Sequence, residues 1–191
     1  MEFRILREDE LQGWYDRELC EAFPPRERKP LDVIRELIAA GCYTLWGLFD
    51  ESGVLLGYAG LWGQPEGGWV LLDYLGVTAA RRNGGIGGQI LALLGEREKG
   101  HIIIESERPL PGLDEDENAI RARRIGFYER AGCRGYYDMA ACGSRFTAMT
   151  AGDEVDVPAM IAAHRAIYGN SRPDVKVPLG PEEAPPPAFW E

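Results

Sequence analysis

Arg82-Asn83-Gly84-Gly85-Ile86-Gly87-Gly88 (RNGGIGG) follows the apolar run Trp69–Val77 (WVLLDYLGV) and opens a helical spacing of Ile86, Ile90, Leu91, Leu93 and Leu94. A strand feeding a glycine turn at a helix start is a phosphate-binding arrangement. Backbone N–H groups there lack partners, and the helix dipole favours an anion. Glycines let the backbone approach a phosphate with no Cβ in the way. A plain flexible turn is the competing reading, but glycines at 84, 85, 87 and 88 directly behind Arg81 and Arg82 argue against it.

The spacing narrows the ligand. No Gly-Lys-Ser/Thr ends the stretch, so it is not a P-loop. A dinucleotide fingerprint needs a third glycine near position 90, where Ile90 stands. Glu105 does lie about twenty residues on, where a ribose-binding acid belongs. Only one strand–helix–strand unit is readable, however, and the segment before it reads as a meander.

The segment Val77-Thr-Ala-Ala-Arg-Arg82-Asn-Gly-Gly85-Ile-Gly87 resembles the acyl-CoA motif of the GNAT N-acetyltransferases, whose core is Arg/Gln-x-x-Gly-x-Gly/Ala. Asn118 to Cys133, with Phe127-Tyr128-Glu129 before Ala131-Gly132, is similar to that family's second CoA-contacting helix. The two motifs occur in the family's order, bracket a strand, and cover roughly residues 69 to 140. The resemblance implies a single-domain α/β fold over 1–168. Its sheet is mixed and mostly antiparallel, with a splayed parallel strand pair, flanked by helices. Residues 169–191 follow as a proline-rich tail.

Composition agrees. With 191 residues, 45% hydrophobic and 27% charged, the chain suits one globular domain. No apolar run approaches the roughly eighteen residues of a membrane span, and the start MEFRILRE lacks a signal-peptide core, so a cytoplasmic protein is expected. A net charge of −10 speaks against nucleic-acid binding. Cys20, Cys42, Cys133 and Cys142 show no metal or redox spacing, and no metal is expected.

Alternation predicts a strand over 2–7, helical spacing a helix from Leu11 to Phe23 ended by Pro24-Pro25, and a second helix from Leu31 to Ile38. Cys42–Phe49 and Val54–Trp62 read as a hairpin about Asp50-Glu51-Ser52-Gly53. His101–Glu105 reads as a strand, Asn118 as the cap of the next helix, and 134–151 as a hairpin around Gly143-Ser144. Ala159–Tyr168 reads as helical. The tail reads as extended or mobile, with Phe189 and Trp190 able to pin it to the body or to a partner.

The resemblance also assigns roles. Backbone groups of Leu75 and Val77 would pair with the pantetheine amides of acetyl-CoA, and the Leu75 N–H would face the oxyanion. The N–H groups of Arg82, Asn83, Gly84, Gly85, Ile86, Gly87 and Gly88 would hold the pyrophosphate. Asn118 would contact the pantetheine. Tyr128 matches the family's phenol beside the thioester sulfur, where a phenol of pKa about 10 can protonate a thiolate of pKa roughly 8.5; a core tyrosine is the competing reading. The general base stays open between Asp73 and Glu105, with Glu107 as a rival and a surface ion pair as the alternative for each. His101 and His164 read as packing or surface residues. Ala79, Arg81, Asn83-Gly84 and Cys133 depart from the family pattern, which commonly has proline, an aromatic, Gly-Lys and phenylalanine there.

The expected activity is acetyl transfer from acetyl-CoA to an amine. Glu105, Glu107 and the acidic run Asp114–Glu117 point to a small cationic acceptor, with a peptide N-terminus as rival; no membrane partner is expected, and a homodimer is compatible with the resemblance. A dinucleotide-dependent oxidoreductase and a non-catalytic CoA-binding module are the alternatives.

Overall fold

Tyr43–Phe49 (β2) and Leu55–Gly63 (β3) are nearly continuous apolar runs, and both strands are buried along almost their whole length. The Asp50 carboxylate closes the turn between them by accepting the N–H groups of Ser52 and Val54, both at 2.9 Å. Glu2–Ile5 (β1) pairs antiparallel with β2. Val70–Val77 (β4), Ile102–Glu107 (β5), Cys133–Ala141 (β6) and Ser144–Ala151 (β7) complete a seven-stranded sheet of order β1-β2-β3-β4-β5-β7-β6. The parallel pair is β4 with β5, at Val70↔Ile102 and Leu71↔Ile103, while Ile104–Glu107 pair antiparallel with β7. This is the mixed, mostly antiparallel sheet that the resemblance implied.

The structure is a computed structural model that describes residues 1–188 other than 67, 100, 153 and 171, and excludes the Arg26 side chain. Phe189 and Trp190, expected to pin the tail, lie outside the described residues. The chain divides into two compact units, 1–67 with 72–94 and 68–71 with 95–191. The divisions fall between positions 67 and 68 ahead of β4, after Leu71 inside β4, and after Leu94 within the helix that follows it.

In the first unit, Glu8–Trp14 (α1) continues through a π-helical turn, Tyr15–Leu19, into Cys20–Ala22 (α2). The sequence reading expected one regular helix here. Leu11, Trp14 and Leu19 are all buried, and a spacing of five between the last two puts both on one face only if the helix widens to i→i+5 bonding. The Cys20 N–H bonds the Tyr15 carbonyl accordingly. With Ile34 of Leu31–Ala39 (α3), these residues form a core with Tyr43, Leu45, Tyr58 and Tyr74, in which Trp14 meets Tyr58 edge-on at 5.5 Å. Ile86–Arg97 (α4) contributes Ile90 beside Gly57. A Cβ at Gly57 would stand 2.8 Å from the Gly76 carbonyl and 2.9 Å from Ile90 Cδ1, so glycine is required for that approach.

In the second unit, Glu115–Arg130 (α5) is capped by Asp114, whose carboxylate accepts the N–H groups of Asp116 and Glu117. The sequence pattern predicts Asn118 as this cap. Asn118 instead lies inside the helix and returns its amide to the loop, bonding the Leu110 N–H and carbonyl, each at 2.9 Å. The β6–β7 turn uses Cys142 and Gly143 at φ 51° and 73°, the pair of positive angles a tight hairpin needs. Val157–Tyr168 (α6) starts at Asp156, which caps Ala159.

The tail was expected to be extended or mobile, and its described residues run as an extended segment bonded to the body. Lys176 and Ala140 exchange two backbone hydrogen bonds, Leu179 N–H donates to the Asp138 carbonyl, and Val177, Leu179 and Ala188 are buried. Asp174, 1% exposed, pairs with Arg172 and accepts the Cys142 N–H. The tail therefore covers the outer edge of β6, satisfying backbone groups that an open edge would expose. Sequence pattern misses this because a strand-edge strap needs backbone groups and a few apolar anchors, not periodicity.

Candidate active site

β4 alternates as its sequence demands: Leu72, Tyr74 and Gly76 are buried, and Asp73, Leu75 and Val77 are partly exposed on the other face. After Thr78, a single 3₁₀ turn at Ala79–Arg81 reverses the chain, Asn83 and Gly85 take φ 65° and 77°, and α4 begins at Ile86. The first α4 bond is from Gln89 N–H to the Gly85 carbonyl, at 3.0 Å. Helix geometry leaves the N–H groups of Ile86, Gly87 and Gly88 without carbonyls one turn back. A Cβ placed on Gly85 or Gly88 meets nothing within 4 Å, so these two glycines are not demanded by packing. Arg82 is exposed, 3.9 Å from Glu21.

Asp73 is fully engaged. Its Oδ1 lies 2.5 Å from Lys29 Nζ, and its Oδ2 accepts the Tyr43 hydroxyl at 2.9 Å. Burial holds the Tyr43 phenol well above the ordinary tyrosine value, aided by the Asp73 charge, so Tyr43 stays a donor. Lys29 Nζ also stands 4.4 Å from the Trp62 ring centre. Nothing in the sequence reading joined positions 29, 43 and 73.

In the second unit, Tyr128 is buried on α5 beside Phe127, and burial pushes its phenol up to about 12. Among the described residues its hydroxyl has no hydrogen-bond partner. Glu105 has three polar contacts: His164 Nε2 at 2.8 Å from Oε1, and the Tyr168 hydroxyl at 2.9 and 3.0 Å from its two oxygens. His164 is fully buried, and its Nδ1 lies 3.0 Å from the Tyr137 hydroxyl. With the carboxylate facing Nε2, the consistent arrangement puts the imidazole proton there, and Nδ1 accepts from Tyr137. His164 thus has the acid partner that the sequence did not reveal. The spacing of Met160, His164 and Ile167 marks a buried α6 face, but no spacing marks Glu105 as its partner.

Glu107 pairs with Arg121 and Arg124 at 3.2 and 3.5 Å. Asp114 is a helix cap and Glu117 pairs with Arg121 at 2.7 Å, so part of the acidic run is structural. His101 lies against Trp69, ring centres 5.0 Å apart. The four cysteines are free. Among the described residues, no cluster of ligating side chains fits a metal ion, and no helix is long and apolar enough to cross a membrane.

A mixed sheet whose fourth strand turns through glycines into a helix N-terminus leaves backbone N–H groups where an anionic group can bind. The acetyltransferase (GNAT) family model matches residues 10–132, and the chain belongs to that family. Among solved structures it is similar to a Bacteroides thetaiotaomicron protein assigned to the GNAT acetyltransferases, with 25% identity, TM-score 0.66, and coverage of 88% of this chain and 99% of that one. The fold is also that of an aminoglycoside 6′-N-acetyltransferase complexed with coenzyme A, at 16% identity and TM-score 0.62, covering 82% of this chain and 100% of that one. A spermidine N-acetyltransferase chimera from Vibrio cholerae shares it at 9% identity and TM-score 0.59, covering 79% and 95%. No curated protein sequence matches significantly. The family match decides against the dinucleotide reading.

Proposed function

We propose that the chain transfers the acetyl group of acetyl-CoA to a small cationic amine. The observation that carries this reading is the turn from β4 into α4, where the family's glycine motif ends in unpartnered helix N–H groups and where Gly85 and Gly88 leave room for a ligand. Backbone N–H groups of Arg82–Gly88 would hold the pyrophosphate. Leu75 and Val77 would pair with the pantetheine, and Asn118 would add a contact through the amide capacity left beyond Leu110. The thioester carbon accepts the amine's lone pair, the oxyanion is held by the Leu75 N–H, and the C–S bond then breaks. Tyr128 would donate to the leaving sulfur. Because its phenol sits near 12, it serves better as a hydrogen-bond donor that stabilises the thiolate than as an acid that ionises fully. The amine's proton would pass to Asp73 or Glu105. Two proteins of this fold are named for acetylating an aminoglycoside and spermidine, both cationic amines, and this supports the acceptor class.

The test is acetyl-CoA consumption with polyamines, aminoglycosides, amino acids and short peptides, at low and high salt. Carboxylate steering predicts preference for cationic amines and a rate that falls as ionic strength rises. Preference for a neutral amine or a peptide, without salt dependence, overturns the acceptor assignment. Absence of CoA binding by calorimetry overturns the reaction.

A further inference from the structure

The most unusual cluster in the first unit is built around the Lys29 side chain. Its ammonium lies 2.5 Å from Asp73 Oδ1, 4.4 Å from the Trp62 ring centre and 5.7 Å from that of Tyr74. The second Asp73 oxygen is fixed by Tyr43. One carboxylate with aromatic faces beside it is the chemistry that recognises a compact cation on an alkyl stem. We propose that Asp73, Tyr43, Trp62 and Tyr74 form a binding site for a primary alkylammonium group, and that Lys29 is its built-in occupant. As the acceptor subsite of the transferase, this site rests on the function proposed above. As a binding site, it stands by itself.

The frame does not depend on the occupant. Tyr43, Trp62, Asp73 and Tyr74 belong to β2, β3 and β4, three strands of the sheet. The Lys29 backbone is held separately: its N–H donates to the Tyr74 hydroxyl at 2.8 Å, and its carbonyl accepts from Tyr15 at 3.2 Å. Rotation about the Lys29 side-chain bonds therefore moves the ammonium to solvent while the main chain stays in place, and the side chain is already 22% exposed. An incoming alkylammonium exchanges one ammonium for another on Asp73. The same carboxylate is then the nearest base for the proton that the amine must lose before it attacks. Lys29 acts as a tethered competitor, whose local concentration sets the affinity of free amines. Most of the chain's cationic side chains are arginines, the lysines being Lys29, Lys99 and Lys176. A planar guanidinium does not reproduce the ammonium's point-charge geometry.

The test titrates n-butylammonium into the protein without CoA, by calorimetry, for the wild type, Lys29→Met and Lys29→Met with Asp73→Asn. Met keeps an apolar stem and removes the charge. Lys29→Met is expected to bind at least tenfold more tightly than wild type, and the double variant to lose that gain. Equal affinities in wild type and Lys29→Met, or a gain that survives Asp73→Asn, overturn the proposal. Should Lys29→Met fail to fold, as judged by its thermal melt, the ¹⁵N ammonium resonance of Lys29 in wild-type protein provides the readout. It is expected to shift to a solvent-exposed position as butylammonium is added, and an unmoved resonance at saturating amine overturns the site. Butylammonium binding of this pattern with no amine acetylated keeps the site and removes the transferase reading. Acetylation of amines whose KM ignores both substitutions does the reverse.

Discussion

Tyr128 and His164 show how differently single residues declare themselves. Tyr128 stood in a recognisable Phe-Tyr-Glu-x-x-Gly context, and the structure buries it on α5 with a hydroxyl that has no hydrogen-bond partner among the described residues. Tyr128→Phe keeps the ring and deletes the hydroxyl, so the melting temperature should hold while kcat at saturating acetyl-CoA falls by on the order of a hundredfold or more. An unchanged kcat leaves Tyr128 as packing. Its phenol, raised to about 12, stays protonated through the usual assay range. The wild-type kcat should therefore show no alkaline decline from Tyr128 between about pH 8 and 10, the region where an unperturbed phenol begins to ionise. His164, in contrast, was read as packing or surface, because its partners Glu105 and Tyr137 lie 59 and 27 positions away. The family resemblance made Asp73 a candidate base and strand alternation put it on the face of Leu75 and Val77, but its pairing with Lys29, 44 positions away, was not legible.

At the scale of elements, the strand–turn–helix at β4 and α4 carries the donor-binding proposal, and Gly88 tests it more cleanly than the other glycines. It lies in the first turn of α4, where a Cβ meets nothing within 4 Å, and its φ is not positive. Gly88→Glu should leave the melting temperature unchanged or slightly higher, since glycine costs a helix roughly 0.5–1 kcal/mol relative to better formers. The added carboxylate should weaken CoA binding at least tenfold by calorimetry, through repulsion of the pyrophosphate. Unchanged affinity moves the phosphate site elsewhere. The elements themselves were largely readable: the β2–β3 hairpin, β4, α4 and the β6–β7 hairpin follow their periodicities and turn residues. The π turn at Tyr15–Leu19 and the cap at Asp114 were not, because both depend on which side chains the surrounding core and loop engage.

For the molecule as a whole, the tail and the buried tyrosines dominate the stability predictions. Deleting residues 170–191 uncovers the β6 edge and removes the buried anchors Val177 and Leu179. At about 1.5–3 kcal/mol for each buried aliphatic side chain, the loss is roughly 3–6 kcal/mol. The melting temperature should then fall by about 6 °C or more. A tail that was only a mobile appendage would leave it unchanged. Tyr43, Tyr58, Tyr74, Tyr128 and Tyr137 all have phenols pushed upward, chiefly by burial. In the unfolded chain they ionise near pH 10, while in the folded chain they remain protonated above it. The unfolded state thus binds fewer protons in that window, and stability present below about pH 10 is lost as pH rises beyond it. Thermal melts from pH 8 to 12 should be level at first and then drop steeply; a level profile to pH 12 contradicts the burial of these rings.

Local order in this chain came from the sequence itself. Apolar periodicity, turn chemistry and the glycine spacing specify strands, helices and the β4–α4 turn, because each depends on neighbours within a few residues. The resemblance to the GNAT acetyltransferases followed from two such local motifs. Only the tertiary structure decided what each charged and aromatic side chain faces: Lys29 on Asp73, Glu105 on His164, Arg121 on Glu107, and the tail along β6. Those pairings are set by strand order and by the approach of helices to the sheet. They join residues whose separation along the chain carries no periodic signal, so their chemistry becomes visible only once the backbone is folded.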